Sequence, residues 1–334
     1  LDDPRIERKK LHPMPEILLL MLCAVICGAE SWDDTIRRFF RAIDSTQFQQ
    51  LFVEWVRAWL SPDVSGKVVS IDGKTLRGSH DRGQSPIHLV SAFASEAGIV
   101  LGQVKTSEKS NEITAIPELL KWLDVRGAIV TIDAMGCQKA IAEKIIDKGG
   151  DYLLALKGNQ SSLHEDVRLH FEQTAPASLA RMARAKSIDK GHGRIEVRQC
   201  RVSTDIDWLR ASHPEWKNLS SIVAIDSERL MGDTTTRETR YFISSSLATA
   251  PQMLAAVRLH WGIENQLHWV LDMSFGEDQS RIRKDNAPTN VGIIRHAALN
   301  MIRQAQKKRV SVKRLRKAAG WDDSVLTDIL AQVF

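Results

Sequence analysis

The sequence predicts an α/β fold, a mixed sheet with flanking helices that is preceded by a helical domain and interrupted by a β-rich insertion. Three observations predict it. Three short β-branched runs follow one another across Gly-containing connections, so their strands are expected to be antiparallel neighbours. Helix-like and strand-like segments then alternate, which puts helices on the faces of the sheet. A block of period-two alternation separates these from a long amphipathic helix.

Three helical patterns open the chain. In the third, Phe48, Leu51, Phe52, Trp55, Val56, Trp59 and Leu60 recur at helical spacing as one apolar stripe. The second begins with Ser31 and Asp34 in capping-box spacing. In the first, Ile17 to Ala29 runs without a charge behind the basic stretch Arg5 to Lys10, which resembles a secretory leader. Pro13 and Pro15, placed where a first helical turn starts, and the amphipathic helices that follow favour a buried bundle helix instead. The run is also shorter than the roughly 20 apolar residues that span a bilayer. Ser61-Pro62-Asp63 stops the third helix, and a boundary is expected near residue 64.

Strands are expected at Lys67 to Asp72, Ile87 to Ala94 and Ile99 to Val104. A helix (about Glu112 to Leu123), a strand (Ala128 to Asp133), a helix (Gln138 to Lys148) and a strand (Tyr152 to Leu156) follow, the element order of a ribonuclease-H-like core. Between Gly158 and Ser246, Arg194, Glu196 and Arg198 alternate with Ile195 and Val197, while Ser221 to Leu230 and Thr235 to Ser244 flank Met231-Gly232-Asp233 as a hairpin. A helix from about Pro251 to Leu271 carries Leu254, Val257, Trp261, Leu267 and Leu271 as its apolar stripe. The expected organisation is a helical domain at 1–64, a core in two parts at 65–160 and 247–305, the insertion at 161–246 and a basic helical tail at 306–334.

With 334 residues, 43% apolar and 26% charged, the chain is neither disordered nor fibrous in composition. Its four cysteines, Cys23, Cys27, Cys137 and Cys200, form no Cys-x-x-Cys pair, which argues against zinc and a disulfide framework and for a reducing, intracellular setting. The net charge of +5 is unevenly spread: Arg281 to Lys317 carries +11, leaving −6 elsewhere. Clustered cations release counterions from a phosphate backbone, so nucleic acid is the expected partner, with a solvated basic helix as the alternative.

Two expected strands end alike, Val68-Val69-Ser70-Ile71-Asp72 and Ile129-Val130-Thr131-Ile132-Asp133. An Asp is costly to bury on a central strand unless it is paired or bound to a cation, so two of them at the carboxyl end of a sheet suggest a metal site; a turn or cap is the alternative for either one. Glu264, on the long helix, is the expected third ligand. Such oxygen donors suit Mg²⁺ or Mn²⁺, and two such ions support an in-line phosphoryl displacement. Glu264, His268 and Asp272 share a helical face, so a His-containing site is a competing arrangement. Asp272, Glu277 and Asp278 are secondary acids.

The residues resemble the H-repeat-associated (ISAs-type) transposases of bacterial insertion sequences, in the DDE transposase superfamily. The resemblance runs through Asp3-Pro4-Arg5, Ala24 to Trp32, Ile71-Asp72-Gly73-Lys74-Thr75-Leu76-Arg77-Gly78-Ser79, Lys109 to Ile113, Thr131 to Gln138, Leu156 to Gln160, His192-Gly193-Arg194 and His260 to Asp278. It implies Asp72, Asp133 and Glu264 as metal-binding acids, a β-strand insertion before the Glu, and cleavage of terminal inverted repeats with transfer to target DNA in the bacterial cytoplasm at the nucleoid, by a homodimer in the synaptic complex. In place of the Tyr, Arg, Glu, Lys signature of related enzymes stand Val257, His260, Glu264 and Leu271, so the end-processing role of that signature does not carry over. Leu1 is not Met and the family usually has more residues before Asp3, which implies a trimmed start or a decayed copy.

The DNA-contact candidates are Lys74 and Arg77 after the first Asp, Lys157 and Asn159 after a strand, His192, Arg194 and Arg198 in the insertion, His268, and Arg281, Arg283 and Lys284. Solvated turns are the alternative for the first four, pairing with Glu196 for the insertion arginines. Trp261 is expected in the core rather than under a base. With Tyr152 and Tyr241 its only tyrosines, and no Gly-x-Ser-x-Gly elbow, the chain is a poor tyrosine recombinase or serine hydrolase. The rivals to a transposase are a DNA-binding remnant and a ribonuclease-H-like nuclease.

Overall fold

The computed structural model describes residues 1–5, 10, 12–29, 33–80, 85–106, 112–173, 182–191, 193–306 and 310–332. In chain order the elements are α1 (Met14–Ile26), α2 (Asp34–Ala42), α3 (Ser45–Trp55), β1 (Val68–Thr75), β2 (His88–Ala94), β3 (Ile99–Thr106), α4 (Glu112–Trp122), β4 (Ile129–Ile132), α5 (Lys139–Asp147), β5 (Asp151–Leu156), α6 (Ser161–Gln173), β6 (Ala183–Gly191), β7 (Arg194–Ser203) and α7 (Asp207–Ser212). There follow β8 (Ser221–Met231), β9 (Thr234–Ser244), α8 (Ala250–Gly262), a π-helical turn (Ile263–His268), α9 (Trp269–Phe275), α10 (Ala287–Ala305), α11 (Val312–Ala319) and α12 (Asp323–Leu330). The mixed α/β class is as expected, and so are the first five strands, the helices between them and the hairpin at Gly232. No helix among the described residues is long and apolar enough to cross a membrane.

The chain divides into two compact units, a sheet unit of 64–71 and 124–261 and a helical unit of 1–63, 72–123 and 262–334. In the sheet unit the strand order is β1-β4-β5-β9-β8-β7-β6. β1 pairs β4 and β4 pairs β5 in parallel, with Ile71 opposite Ile132, and the remaining pairs are antiparallel. The parallel strands are nearly continuous apolar runs, as strands covered on both faces require, and their polar exceptions Ser70 and Thr131 hydrogen-bond each other (3.2 Å). Met253, Leu254 and Val257 of α8 pack on Val68, Leu153, Val223 and Phe242, each buried side chain contributing about 1.5–3 kcal/mol. β6 escaped the sequence reading because Ala183 to Gly191 has no apolar alternation; it is held by its ladder to β7. α6 was legible and overlooked, since Leu163, Val167 and Phe171 recur every four residues and are buried.

In the helical unit α10 is buried on nearly every side. Two of its buried asparagines donate to backbone carbonyls. Asn290 Nδ2 donates to Phe40 O and Ile43 O (2.8 and 3.0 Å), and Asn300 exchanges two hydrogen bonds with Val100 at β3 (2.8 and 2.9 Å). The helices before residue 64 are therefore docked on α10, not set apart. α2 is capped by Asp33, whose carboxylate accepts from Ile36 N–H (3.0 Å), while Ser31 of the expected capping box lies outside the described residues.

Two expectations need correction. Three cations of the basic segment serve the fold: Arg295 and Arg316 are buried, Arg316 4.1 Å from the Phe275 ring and donating to Val25 O, and Arg303 stands over Phe93 and donates to Gly98 O. Lys307, Lys308 and Arg309 lie outside the described residues. Trp261 is half exposed beneath the Arg240 guanidinium, not core. After it comes the π turn, in which Trp269 N–H reaches Glu264 O five residues back, and the buried apolar positions there are Ile263, Leu267, Leu271 and Phe275.

Candidate metal centre

The centre lies in the helical unit, where strand alternation places Asp72 and Lys74 on one face of β1 and Gly73 and Thr75 on the other. On the second face His88 accepts or donates to Thr75 Oγ1 through Nδ1 (2.9 Å) and to Glu112 Oε1 through Nε2 (2.6 Å), with both His88 and Glu112 buried. A Cβ on Gly73 would fall 2.2 Å from His88 Nε2 and 2.4 Å from Glu112 Oε1, so the glycine between the acid and the lysine is required by close approach.

On the first face, His268 Nδ1 is 3.0 Å from Glu264 Oε2 and 3.6 Å from Asp72 Oδ2. Ligand atoms of Asp72, Glu264 and His268 all lie within 4.8 Å of one another. One step along, Lys74 Nζ donates to Asp272 Oδ1 and Glu277 Oε2 (2.7 Å) and lies 3.6 Å from Asp278. The match is geometric: two strand residues span about 6.6 Å and four helical residues about 6 Å, so Asp72 and Lys74 meet successive turns of the helix.

The charges are stable at neutral pH. The hydrogen bond from His268 holds the Glu264 carboxyl below its ordinary range, against burial. Burial pulls the Lys74 ammonium down, but Glu277 and the hydrogen bonds to Asp272 and Glu277 outweigh it and raise it. Burial likewise pushes Glu277 up and is outweighed by Lys74 and Arg295, so it stays ionised. Asp272 is raised, by burial first and by the nearby Asp278 and Glu277.

Two carboxylates drawn this close repel unless a cation lies with them, and a pair of oxygen donors, one of them steadied by His268, fits a divalent ion such as Mg²⁺ or Mn²⁺. Among the described residues His268 Nε2 is buried without a hydrogen-bond partner, and the ring meets Glu264 through Nδ1.

In the sheet unit, Asp133 follows Ile132, the register partner of the Ile71 that precedes Asp72. Its Oδ1 accepts from Met135 and Gly136 N–H (3.0 and 3.2 Å), an Asx turn. His260 Nδ1 meets Thr131 Oγ1 at 3.1 Å, and burial lowers its pKa against the pull of Asp133.

Two expected DNA contacts are corrected. His268 is 3% exposed and Lys74 is enclosed by acids, so neither faces a duplex. Arg77 is 83% exposed at its side chain, 3.6 Å from Asp278. A Cβ on Gly78 would strike Ser280 O at 2.2 Å, and Arg283 donates to Gly78 O, so the turn bearing Arg77 lies against the loop bearing exposed Arg281 and Lys284. Lys157 is exposed, and Asn159, also exposed, donates to Ala134 O (2.7 Å). Arg194 is exposed, whereas Arg198 is paired with Asp189 (2.6 Å) and Glu196 (2.8 Å), the alternative the sequence left open. His192 lies outside the described residues. The sequence reading missed His88, Glu112, Arg295 and His296, whose roles come from contacts distant in the chain.

A family described as "Transposase DDE domain" matches residues 64–301, and one described as "DDE_Tnp_1-associated" matches residues 1–34. YncI of Escherichia coli O157:H7, which carries a transposase name, is 40% identical over 99% of this chain and 92% of its own. YhhI of E. coli K12, whose name is that of an H repeat-associated transposase, is 39% identical over 99% and 96%. Among solved structures, the piggyBac transposase in a synaptic complex with hairpin DNA aligns at a TM-score of 0.47 and 11% identity, over 98% of this chain and 75% of that one.

Proposed function

From the premise that the chain belongs to the transposases with a DDE domain, we propose that it cuts DNA at the ends of an insertion sequence and joins those ends to target DNA, with Asp72, Asp133 and Glu264 as its metal-binding acids. The observation that carries the reading is the convergence of Asp72, Glu264 and His268 ligand atoms within 4.8 Å, with Asp72 presented from within β1. The register supports Asp133 as the third acid, because it leaves the strand next to the one that presents Asp72.

Magnesium or manganese held there would polarise the scissile phosphate, ready the attacking oxygen and stabilise the leaving one. The chain's own residues do the rest. His268 donates through Nδ1 to Glu264 and fixes the carboxylate's orientation. Lys74 ties β1 to α9 through Asp272, which sets the Asp72 carboxylate opposite Glu264. Arg77, Arg281 and Lys284 offer exposed cations for phosphates beside the acids, and Arg283 anchors their loop.

The test is a labelled duplex carrying the element's end, incubated with protein and Mg²⁺, Mn²⁺ or EDTA. Nicking at the end that needs metal and joins to a second duplex is the expected result. Nicking of any duplex without joining indicates a general nuclease, and binding without cleavage in either metal indicates a DNA-binding remnant.

A further inference from the structure

We infer that Arg303 is a positioning residue of the metal centre, its guanidinium holding the π-helical turn in the register that brings Glu264 to Asp72. The inference rests on Asp72 and Glu264 being the cation ligands, and its observations concern groups other than those two carboxylates. The first is what the turn accomplishes. Along a regular α-helix residues 264 and 272 would point about 80° apart, since each residue turns about 100°. The Trp269 N–H to Glu264 O bond takes up one extra residue between them, which cuts that angle to about 20°. Both acids therefore face β1, Glu264 toward Asp72 and Asp272 toward Lys74. Without the extra residue, a helix turned to set Glu264 beside Asp72 would carry Asp272 away from Lys74.

The second observation is what holds the turn. Where a helix returns from five-residue to four-residue bonding, a carbonyl is left short of a helical N–H and needs another donor. Arg303 Nη2 donates to Gln266 O within the turn. Its Nη1 donates to Gly98 O (2.6 Å), and its Cζ stands 5.2 Å from the centre of the buried Phe93 ring. One planar side chain of α10 thus ties the turn to the hairpin of β2 and β3. A Cβ on Gly262 would lie 3.4 Å from Gln266 Nε2 and 4.0 Å from Ser95 Cβ, so the residue before the turn rests against the same hairpin. The third observation is charge. Burial brings the guanidinium down from 12.5 to about 10, which leaves it a full cation at neutral pH, and a charged donor makes the stronger bond to each carbonyl. With Nη1 and Nη2 on carbonyls and Cζ over a ring, this arginine faces protein groups, unlike the exposed Arg281 and Lys284.

The experiment uses the full chain as wild type, Arg303→Met, Arg303→Gln and Arg303→Lys, beside Leu119→Ala, which opens a cavity at a buried position of α4 in the same unit and controls for lost stability alone. Mn²⁺ affinity is read from the electron paramagnetic resonance of the free ion, the turn from hydrogen exchange of the amides of residues 264–270, and cleavage from the Mg²⁺ concentration that gives half the maximal rate on an end duplex. Mn²⁺ binding should weaken about 10- to 100-fold in Arg303→Met and Arg303→Gln, with the Mg²⁺ requirement rising in proportion and the Trp269 amide exchanging faster. Arg303→Lys, which keeps the charge and can reach one carbonyl, should fall between these and wild type, and Leu119→Ala should bind Mn²⁺ as wild type does. Wild-type Mn²⁺ affinity and Trp269 exchange in Arg303→Gln overturn the inference. So does an equal loss of Mn²⁺ affinity in Leu119→Ala, which assigns the effect to stability. If Arg303→Met fails to fold, the glutamine and lysine variants decide. If wild type binds no Mn²⁺ while exchange at Trp269 still depends on Arg303, the metal reading falls and the hold on the turn stands.

Discussion

Asp72 and Asp133 look alike in the sequence, each closing a four-residue apolar run, yet the structure gives them different surroundings. Asp72 stands among the ligand atoms of Glu264 and His268. Asp133 Oδ1 accepts from the N–H groups of Met135 and Gly136 and so shapes its own turn. A carboxylate after such a run thus meets two kinds of surroundings, a cluster of acid and imidazole groups on β1 or a turn of its own, and the sequence signal is the same for both. The neighbours decide between them: Lys74 anchors the strand of the first, a backbone turn anchors the second.

The largest effect that tests this contrast is on cleavage. Asp72→Asn should reduce metal-dependent nicking by about a thousandfold, several kcal/mol of transition-state stabilisation. Asp133→Asn should match it. A loss of less than tenfold for Asp133→Asn, measured beside Asp72→Asn at saturating Mg²⁺, would break the symmetry and assign Asp133 to the turn alone.

Stability separates the two surroundings next. Lys74→Met strands Asp272 and Glu277 in a partly or fully buried site, a change that costs about 3–5 kcal/mol when a buried pair loses one partner. Lys157→Met, at an exposed lysine beyond the strand that follows Asp133, should stay within about 0.5 kcal/mol. Urea melts of both variants check this, and equal midpoints would show that the Lys74 network bears no load.

Acid sensitivity should be centred on the same network. Burial holds His296 down to about 4 from its usual 6.5. As pH falls below 6.5 the unfolded chain takes up a proton that the folded chain refuses until about pH 4, so stability drops through that window, by about 3 kcal/mol from this group. Glu277, held below its ordinary range, adds a loss at still lower pH as it is protonated. His296→Asn should flatten the pH dependence of the urea midpoint between 6.5 and 4; an unchanged slope would place the sensitivity elsewhere.

Much of this was legible in advance because strand runs and hairpin turns are local signals. The runs before Asp72 and Asp133 were read as strands, and Glu264 was read as lying on a helix. The pairing of His268 with Glu264 followed from i, i+4 spacing. The π turn was not legible, because one inserted residue leaves apolar spacing that still reads as helical. Lys74 and the buried arginines of the basic segment were misread for a related reason. Charge counted along a chain does not reveal which cations find carboxylates or carbonyls from distant segments, as Lys74 finds Asp272 and Arg316 finds Val25 O.

The smallest effect is the sharpest on Asp133 itself. Asparagine keeps the side-chain oxygen that accepts from Met135 and Gly136 but loses the negative charge, whereas alanine loses both. If the residue forms the turn as well as binding metal, Asp133→Asn should melt within about 0.5 kcal/mol of wild type, and Asp133→Ala should be destabilised by about 1 kcal/mol, the usual worth of such a local bond. Cleavage should be lost equally in both, because charge is what a cation needs. Thermal melts that place the two variants together, with asparagine as unstable as alanine, would mean that the carboxylate charge supports the fold near this turn, and the division of labour drawn between the two aspartates would have to be redrawn.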